Sequence, residues 1–212
     1  MSSFNGVIFD LDGTLLNTLE DLADSCNRQL ARFGYSTHPL EAYRYFVGNG
    51  ARKIVERALP PSPEAKSRAD EFLKEFVADY SANCFEKTRP YEGIQELLEK
   101  LHERGLPMAV LSNKPDAETR KVVSRYFGDD LFAHSYGQRE GIPHKPDPAG
   151  VIPILADMGL KPEETAFVGD TWIDMRTAAA SGCVPVGVLW GFRERTELEE
   201  NGAARARGRN NE

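Results

Sequence analysis

The chain has 212 residues, 41% of them hydrophobic, a formal net charge of -7 and three cysteines. That length holds one large domain or a core with one insertion. The acidic balance argues against a nucleic-acid binder, and no apolar run approaches the length of a membrane span. Cys26, Cys84 and Cys183 are sparse and lack metal-ligand spacing, which fits a reducing cytoplasm better than a disulfide framework. No basic stretch followed by an apolar one marks a secretory signal at the start. A soluble cytoplasmic enzyme is expected, with no membrane partner.

The first element is a buried strand over 5–9, where Val7, Ile8 and Phe9 are β-formers without a helical period. Asp10 and Asp12 follow it, and Gly13 breaks the chain. From Thr18 the period becomes helical. Leu19, Leu22, Ala23, Cys26, Leu30 and Phe33 share a face that Gly34 ends, and further helices are expected over 38–46, 50–59 and 63–85. The last carries Phe72, Leu73, Phe76, Val77 and Tyr80 on one face.

From Tyr91 helices and strands alternate. A helix presents Ile94, Leu97, Leu98 and Leu101. Then come a strand over 106–111, a helix over 116–126 and a strand over 132–136. A helix over 147–158, a strand over 165–168, a helix over 173–180 and a strand over 184–189 complete the run. This rhythm predicts an α/β, doubly wound, Rossmann-like parallel sheet covered on both faces. Residues 1–16 and 86–212 would form that core, and 17–85 an inserted helical cap. The polar tail from Glu200, with Arg205, Arg207 and Arg209, predicts an exposed, frayed end.

Four strand ends deliver polar groups. The first brings Asp10 and Asp12, the second Ser112 and Asn113, a proline-flanked loop Lys145, and the fourth Asp170 with Asp174 one turn later. In a parallel sheet all strand C-termini lie on one edge, so these groups can converge. Asp10, Asp12 and Asp170 would make an oxygen-rich cluster for a hard cation, Mg²⁺ first among them. Lys145 adds a positive point charge, Ser112 a hydroxyl donor, and Gly13, with Thr14 beside it, a close backbone approach for phosphate oxygens. An aspartate can attack phosphorus, and a carboxyl two residues on can protonate the leaving oxygen.

These motifs, FDLDGTL, LSN, HKPDP and VGDTWID, resemble those of the haloacid dehalogenase superfamily of phosphatases with a helical cap, over about residues 4–200. The resemblance implies Asp10 as nucleophile, Asp12 as general acid/base and backbone metal ligand, Ser112 and Lys145 as phosphate-site residues, Asp170 as metal ligand, and Asp174 as an acid that supports the metal through a neighbouring ligand or water. YFVGNGARKIVERAL and WGFRERTELEENGA resemble phosphoglycolate phosphatases, which implies 2-phosphoglycolate as a substrate. Gly48, Asn49 and Gly50 are either a simple turn before a helix or, with that helix's N-terminus, a substrate-binding loop of the cap that faces the substrate carboxylate. The chain departs from the pattern at Asn17, where an acid is usual, and in its last residues, where an apolar strand is usual. Sugar phosphomutase, pyrophosphatase and nucleotidase remain open within the same superfamily, as does a catalytically silent binding protein on this fold. The expected partner is a small phosphorylated metabolite, and the expected state a monomer or homodimer.

Overall fold

A computed structural model of the chain describes residues 4–207. It divides into two compact units, Met1–Asn17 with Pro90–Glu212 and, between them, Thr18–Arg89.

The first unit begins with β1 (Gly6–Phe9), whose four residues are all buried. Within the second unit follow α1 (Leu19–Arg32), α2 (Leu40–Phe46), α3 (Ala51–Ala58), α4 (Pro63–Ser67) and α5 (Ala69–Asn83). The first unit then resumes with α6 (Ile94–Glu103), β2 (Met108–Pro115), α7 (Asp116–Phe127), β3 (His134–Gln138) and α8 (Val151–Met158). It closes with β4 (Thr165–Gly169), α9 (Trp172–Ser181), β5 (Val184–Val188), α10 (Arg195–Glu200) and β6 (Arg205–Arg207).

These six of the chain's described strands form one sheet in the order β3-β2-β1-β4-β5-β6, and every pairing within it is parallel. This is a doubly wound arrangement. The order of strands reverses direction beside β1, between β1 and β4, and the crevice at such a reversal is where open α/β sheets bind ligands. One face is sealed by Ile8, Ala109, Leu111 and Phe167 packed on Val151, Ile154 and Leu155 of α8 and Ala178 of α9. Strands buried on both faces need apolar runs rather than alternation, which is why β1 and the first half of β2 read as continuous hydrophobic sequence.

The helical unit is tied by a charged contact. Arg28 on α1 donates to Asp79 on α5 through Nη2 at 2.6 Å. The chain's exit from this unit is held by Asp21, a buried carboxylate that accepts from the backbone N–H of Lys87 and of Thr88. His38, in the loop before α2, is half-buried and its Nε2 lies 2.8 Å from the carbonyl of Ala58.

Three local expectations are corrected. The continuous helix over 63–85 is two helices, α4 and α5, joined at Arg68 (φ -98, ψ 2). Before Phe72 only Ala65 is buried, so there is no apolar stripe to hold a longer helix in line. Leu97 stands on the predicted apolar face of α6 but is 39% exposed, leaving Ile94 and Leu98 as the buried positions. The tail does not fray at Glu200. Arg205–Arg207 form β6, whose residue Arg205 pairs with Val186 of β5. A parallel edge strand is held by backbone bonds and takes charged residues readily, so its polar composition hid it. Residues 208–212 of the expected frayed tail lie outside the described residues.

Candidate active site

The site is built on the C-terminal ends of β1, β2 and β4. After β1 the chain makes a tight loop in which the carbonyl of Leu11 accepts from the N–H groups of Thr14, Leu15 and Leu16. Asp10 leaves the sheet with its own N–H bonded to Val168 of β4 at 2.8 Å. Gly13 adopts φ +94, and a Cβ there would stand 2.2 Å from Oδ2 of Asp170. Only glycine lets the loop after β1 and the carboxylate after β4 lie this close.

Asp10, Asp170 and Asp174 are buried, and one ligand oxygen from each lies within 4.8 Å of the others. A single ammonium, Nζ of Lys145, sits among them, 2.8 Å from Oδ1 of Asp10 and 2.7 Å from Oδ1 of Asp174. Burial disfavours the charge of Lys145, but Asp10 and Asp174 more than offset that and raise its pKa. Burial, Asp174 and Asp12 prevail over Lys145 at Asp10, whose carboxyl is pushed up to about 7. Burial, with Asp174 and Asp10 beside it, also holds Asp170 well above the carboxylate range, against the Phe192 N–H and the charge of Arg193.

Such a buried excess of carboxylate oxygens over cations, with no soft ligand among them, is the donor set a hard cation fits. Asp10, Asp170 and Asp174 could each offer it an oxygen. The second oxygen of Asp174 also accepts from the N–H and hydroxyl of Thr171 at the start of α9.

The other expected residues are distributed as follows. Thr14 is fully buried and its hydroxyl donates to Oδ1 of Asp170 at 3.2 Å, so it holds the acid in place. Ser112 is buried, and its Oγ accepts from the N–H of Lys114 at 3.2 Å. Asn113 grips the backbone of Lys145 at both ends, donating to its carbonyl at 3.0 Å and accepting from its N–H at 2.9 Å. Asp12 is not among the clustered acids, because both its oxygens face Nζ of Lys114 at 2.9 Å. Gly48, Asn49 and Gly50 belong to the helical unit, where Oδ1 of Asn49 accepts from Arg57 at 2.7 Å and Gly50 precedes α3.

Two features escaped the reading of the motifs. One is Lys114. The other is the segment after β5, quoted above only for its resemblance. There Nε1 of Trp190 donates to the carbonyl of Thr14 at 3.0 Å, and the N–H of Phe192 donates to Oδ2 of Asp170 at 2.7 Å. A Cβ on Gly191 would lie 2.3 Å from Cβ of Asp170 and 2.5 Å from the carbonyl of Gly13. Buried Arg193 reaches Glu197 at 3.3 Å, and Glu197 accepts from the N–H of Trp172 at 3.2 Å. Residues 190–193 thus brace the loop after β1 against the carboxylate after β4.

A parallel sheet with this acid cluster at its strand ends defines a hydrolase core, and the family follows. A model of the haloacid dehalogenase-like hydrolases matches residues 7–188, and the chain belongs to that family. It is 38% identical over 197 residues to a phosphoglycolate phosphatase of Mannheimia succiniciproducens, covering 90% of this chain and 88% of that protein. It is 32% identical over 206 residues to a phosphoglycolate phosphatase of Haemophilus influenzae, covering 94% and 92%. The structure also matches that of a predicted phosphoglycolate phosphatase from Haemophilus somnus, with a TM-score of 0.88, 28% identity, and 97% and 94% of the two chains covered. Within its family the chain is an enzyme of the phosphatase class. Among the described residues no helix is long and apolar enough to cross a membrane.

Proposed function

We propose that this enzyme is a Mg²⁺-dependent phosphomonoester hydrolase of small phosphorylated metabolites, with 2-phosphoglycolate as its substrate. The observation that carries this reading is the different placement of two carboxylates. Asp10 stands in the buried acid cluster against Lys145, while Asp12, two residues on, is turned out of that cluster.

Asp10 attacks phosphorus, the bond to the leaving oxygen breaks, and Asp12 gives that oxygen its proton. Water then attacks the aspartyl phosphate and passes a proton to Asp12, and the bond between phosphorus and Asp10 breaks. Ser112 and Lys145 hold the phosphoryl oxygens, and Lys145 keeps Asp10 oriented. A cation bound by Asp10, Asp170 and the Asp12 carbonyl would offset the repulsion between an anionic nucleophile and an anionic phosphate. The 2-phosphoglycolate assignment draws on the names of the relatives at 32–38% identity. The helical unit is proposed as the cap, with Gly48, Asn49 and Gly50 as its substrate-binding residues. Three free, buried thiols fit a cytoplasmic enzyme, monomeric or homodimeric.

The test is phosphate release from a panel of phosphate esters, with Mg²⁺ or with EDTA. The highest kcat/KM on 2-phosphoglycolate, lost in EDTA, is expected. Isomerised sugar phosphate without net phosphate release would replace this reading with a mutase.

A further inference from the structure

Lys114 has no part in the chemistry described so far, yet its surroundings are built around it. Its side chain is 3% exposed, and its ammonium meets both oxygens of Asp12 at 2.9 Å. Its backbone is fixed from three sides. The N–H donates to Ser112 at 3.2 Å, the carbonyl accepts from the hydroxyl of Thr119 at 3.3 Å, and Gly137 on β3 approaches so closely that a Cβ there would lie 2.5 Å from that carbonyl.

The strand itself is irregular at this point. Leu111 pairs with Tyr136 and Pro115 with Gln138, so β2 advances four residues while β3 advances two. In a regular strand Asn113 and Lys114 would face opposite sides of the sheet. A bulge re-aims side chains. Here it lets Asn113 reach Lys145 and Lys114 reach Asp12, so consecutive residues serve the two halves of one site.

We propose that Lys114 is a positioning residue for the phosphatase reaction, fixing the Asp12 carboxylate in the orientation from which it delivers a proton to the leaving oxygen. The inference rests on the reading of Asp12 as proton carrier. In the proposed step the proton moves from Asp12 to the leaving oxygen, and Lys114 neither gains nor loses one. A carboxylate on a rotatable Cα–Cβ bond delivers a proton only from within hydrogen-bond reach, and a bidentate grip removes its other rotamers. Lys145 performs the corresponding service for Asp10, which gives each of the two working carboxylates its own buried lysine.

The proposal separates from a structural role through leaving-group dependence. A nitrophenolate departs without a proton, whereas an alkoxide does not. Lys114→Met and Lys114→Gln are compared with wild type and Asp12→Asn on p-nitrophenyl phosphate and on the best alkyl phosphate of the ester panel, with a thermal melt of each variant and orthophosphate as competitive inhibitor. In both Lys114 variants the ratio of alkyl to aryl kcat is expected to fall about tenfold or more, in the same sense as in Asp12→Asn, with the orthophosphate inhibition constant held. Lys114→Arg, which keeps a bidentate cation, is expected to recover part of that ratio and serves where the neutral variants do not fold. An equal loss on both esters, or a weakened orthophosphate inhibition in proportion to the lost rate, would overturn the proposal while leaving Asp12 intact. An Asp12→Asn enzyme without leaving-group bias would instead bring down the reading of Asp12, and the role of Lys114 with it.

Discussion

Gly13 and Asp170 follow two different strands, β1 and β4, and the space between them holds no side-chain carbon: a Cβ on residue 13 would meet Oδ2 of Asp170 at 2.2 Å. Two strand ends are thereby brought together by what is missing from one of them. Gly13→Ala would both force φ +94 on an alanine and displace Asp170. We expect a loss of about 1–3 kcal/mol in stability from the backbone alone and a fall in kcat of about 100-fold or more from the moved acid. Thermal melts and steady-state kinetics check the two effects separately. Gly191→Ala, which intrudes on Asp170 from the other side at 2.3 Å with no positive φ to satisfy, should reproduce the kinetic loss with a smaller backbone cost.

The acid cluster makes a prediction about pH. The Asp10 carboxyl moves from 3.8 to about 7 on folding, so the folded state binds its proton more tightly than the unfolded state does. The stability this confers is complete below the unfolded value and is lost as pH rises through about 7. Asp10→Asn cannot lose that contribution. In EDTA, the melting temperature of Asp10→Asn minus that of wild type should therefore grow between about pH 5 and about pH 8, and Mg²⁺ should narrow it by raising wild type at the upper pH. A difference that is flat with pH would remove the cluster's excess charge as its cause.

Lys145 should behave oppositely to Asp10. Lys145→Met leaves Asp10 and Asp174 facing each other in a buried space without the cation between them. Breaking a buried pair from one side costs about 3–5 kcal/mol. The variant should melt well below wild type at about pH 8 and recover towards lower pH, where its acids take up protons. A pH series of thermal melts reads this directly.

Asn113 carries a prediction that separates positioning from contact. Its amide closes a two-bond ring with the backbone of Lys145, at 3.0 and 2.9 Å. Asn113→Ala should cost about 1–3 kcal/mol from the unpaired groups left buried and lower kcat through a displaced Lys145. Asn113→Asp keeps the acceptor but sets a buried carboxylate against the Lys145 carbonyl, and should not recover the stability. Kinetics on p-nitrophenyl phosphate together with melts would separate the two losses.

Much of this site was legible because its chemistry sits in short, conspicuous places. Asp10 and Asp12 follow an apolar run and precede a glycine, and Asp170 follows another; strand ends of a parallel sheet share an edge. Lys114 was hidden because the expected strand ended at 111, and the irregular continuation to Pro115 is set by pairing with β3, which local sequence does not encode. The brace of Trp190, Gly191 and Phe192 was hidden for another reason: two of its three contributions, a backbone N–H and a missing Cβ, are not side-chain chemistry at all. β6 was missed because edge pairing depends on backbone groups that every residue carries. The helix break at Arg68 lay in a stretch too poor in apolar residues to show any period.

The central claim is that Asp10 carries the phosphoryl group, and chemical trapping tests it most directly. The enzyme is mixed with a phosphate ester it turns over, quenched in borohydride, digested and sequenced by mass spectrometry. The account predicts reduction of an acyl phosphate at residue 10, to homoserine, in wild type and its absence without substrate. Turnover that leaves Asp10 unmodified, or that places the modification on another carboxylate, would contradict it.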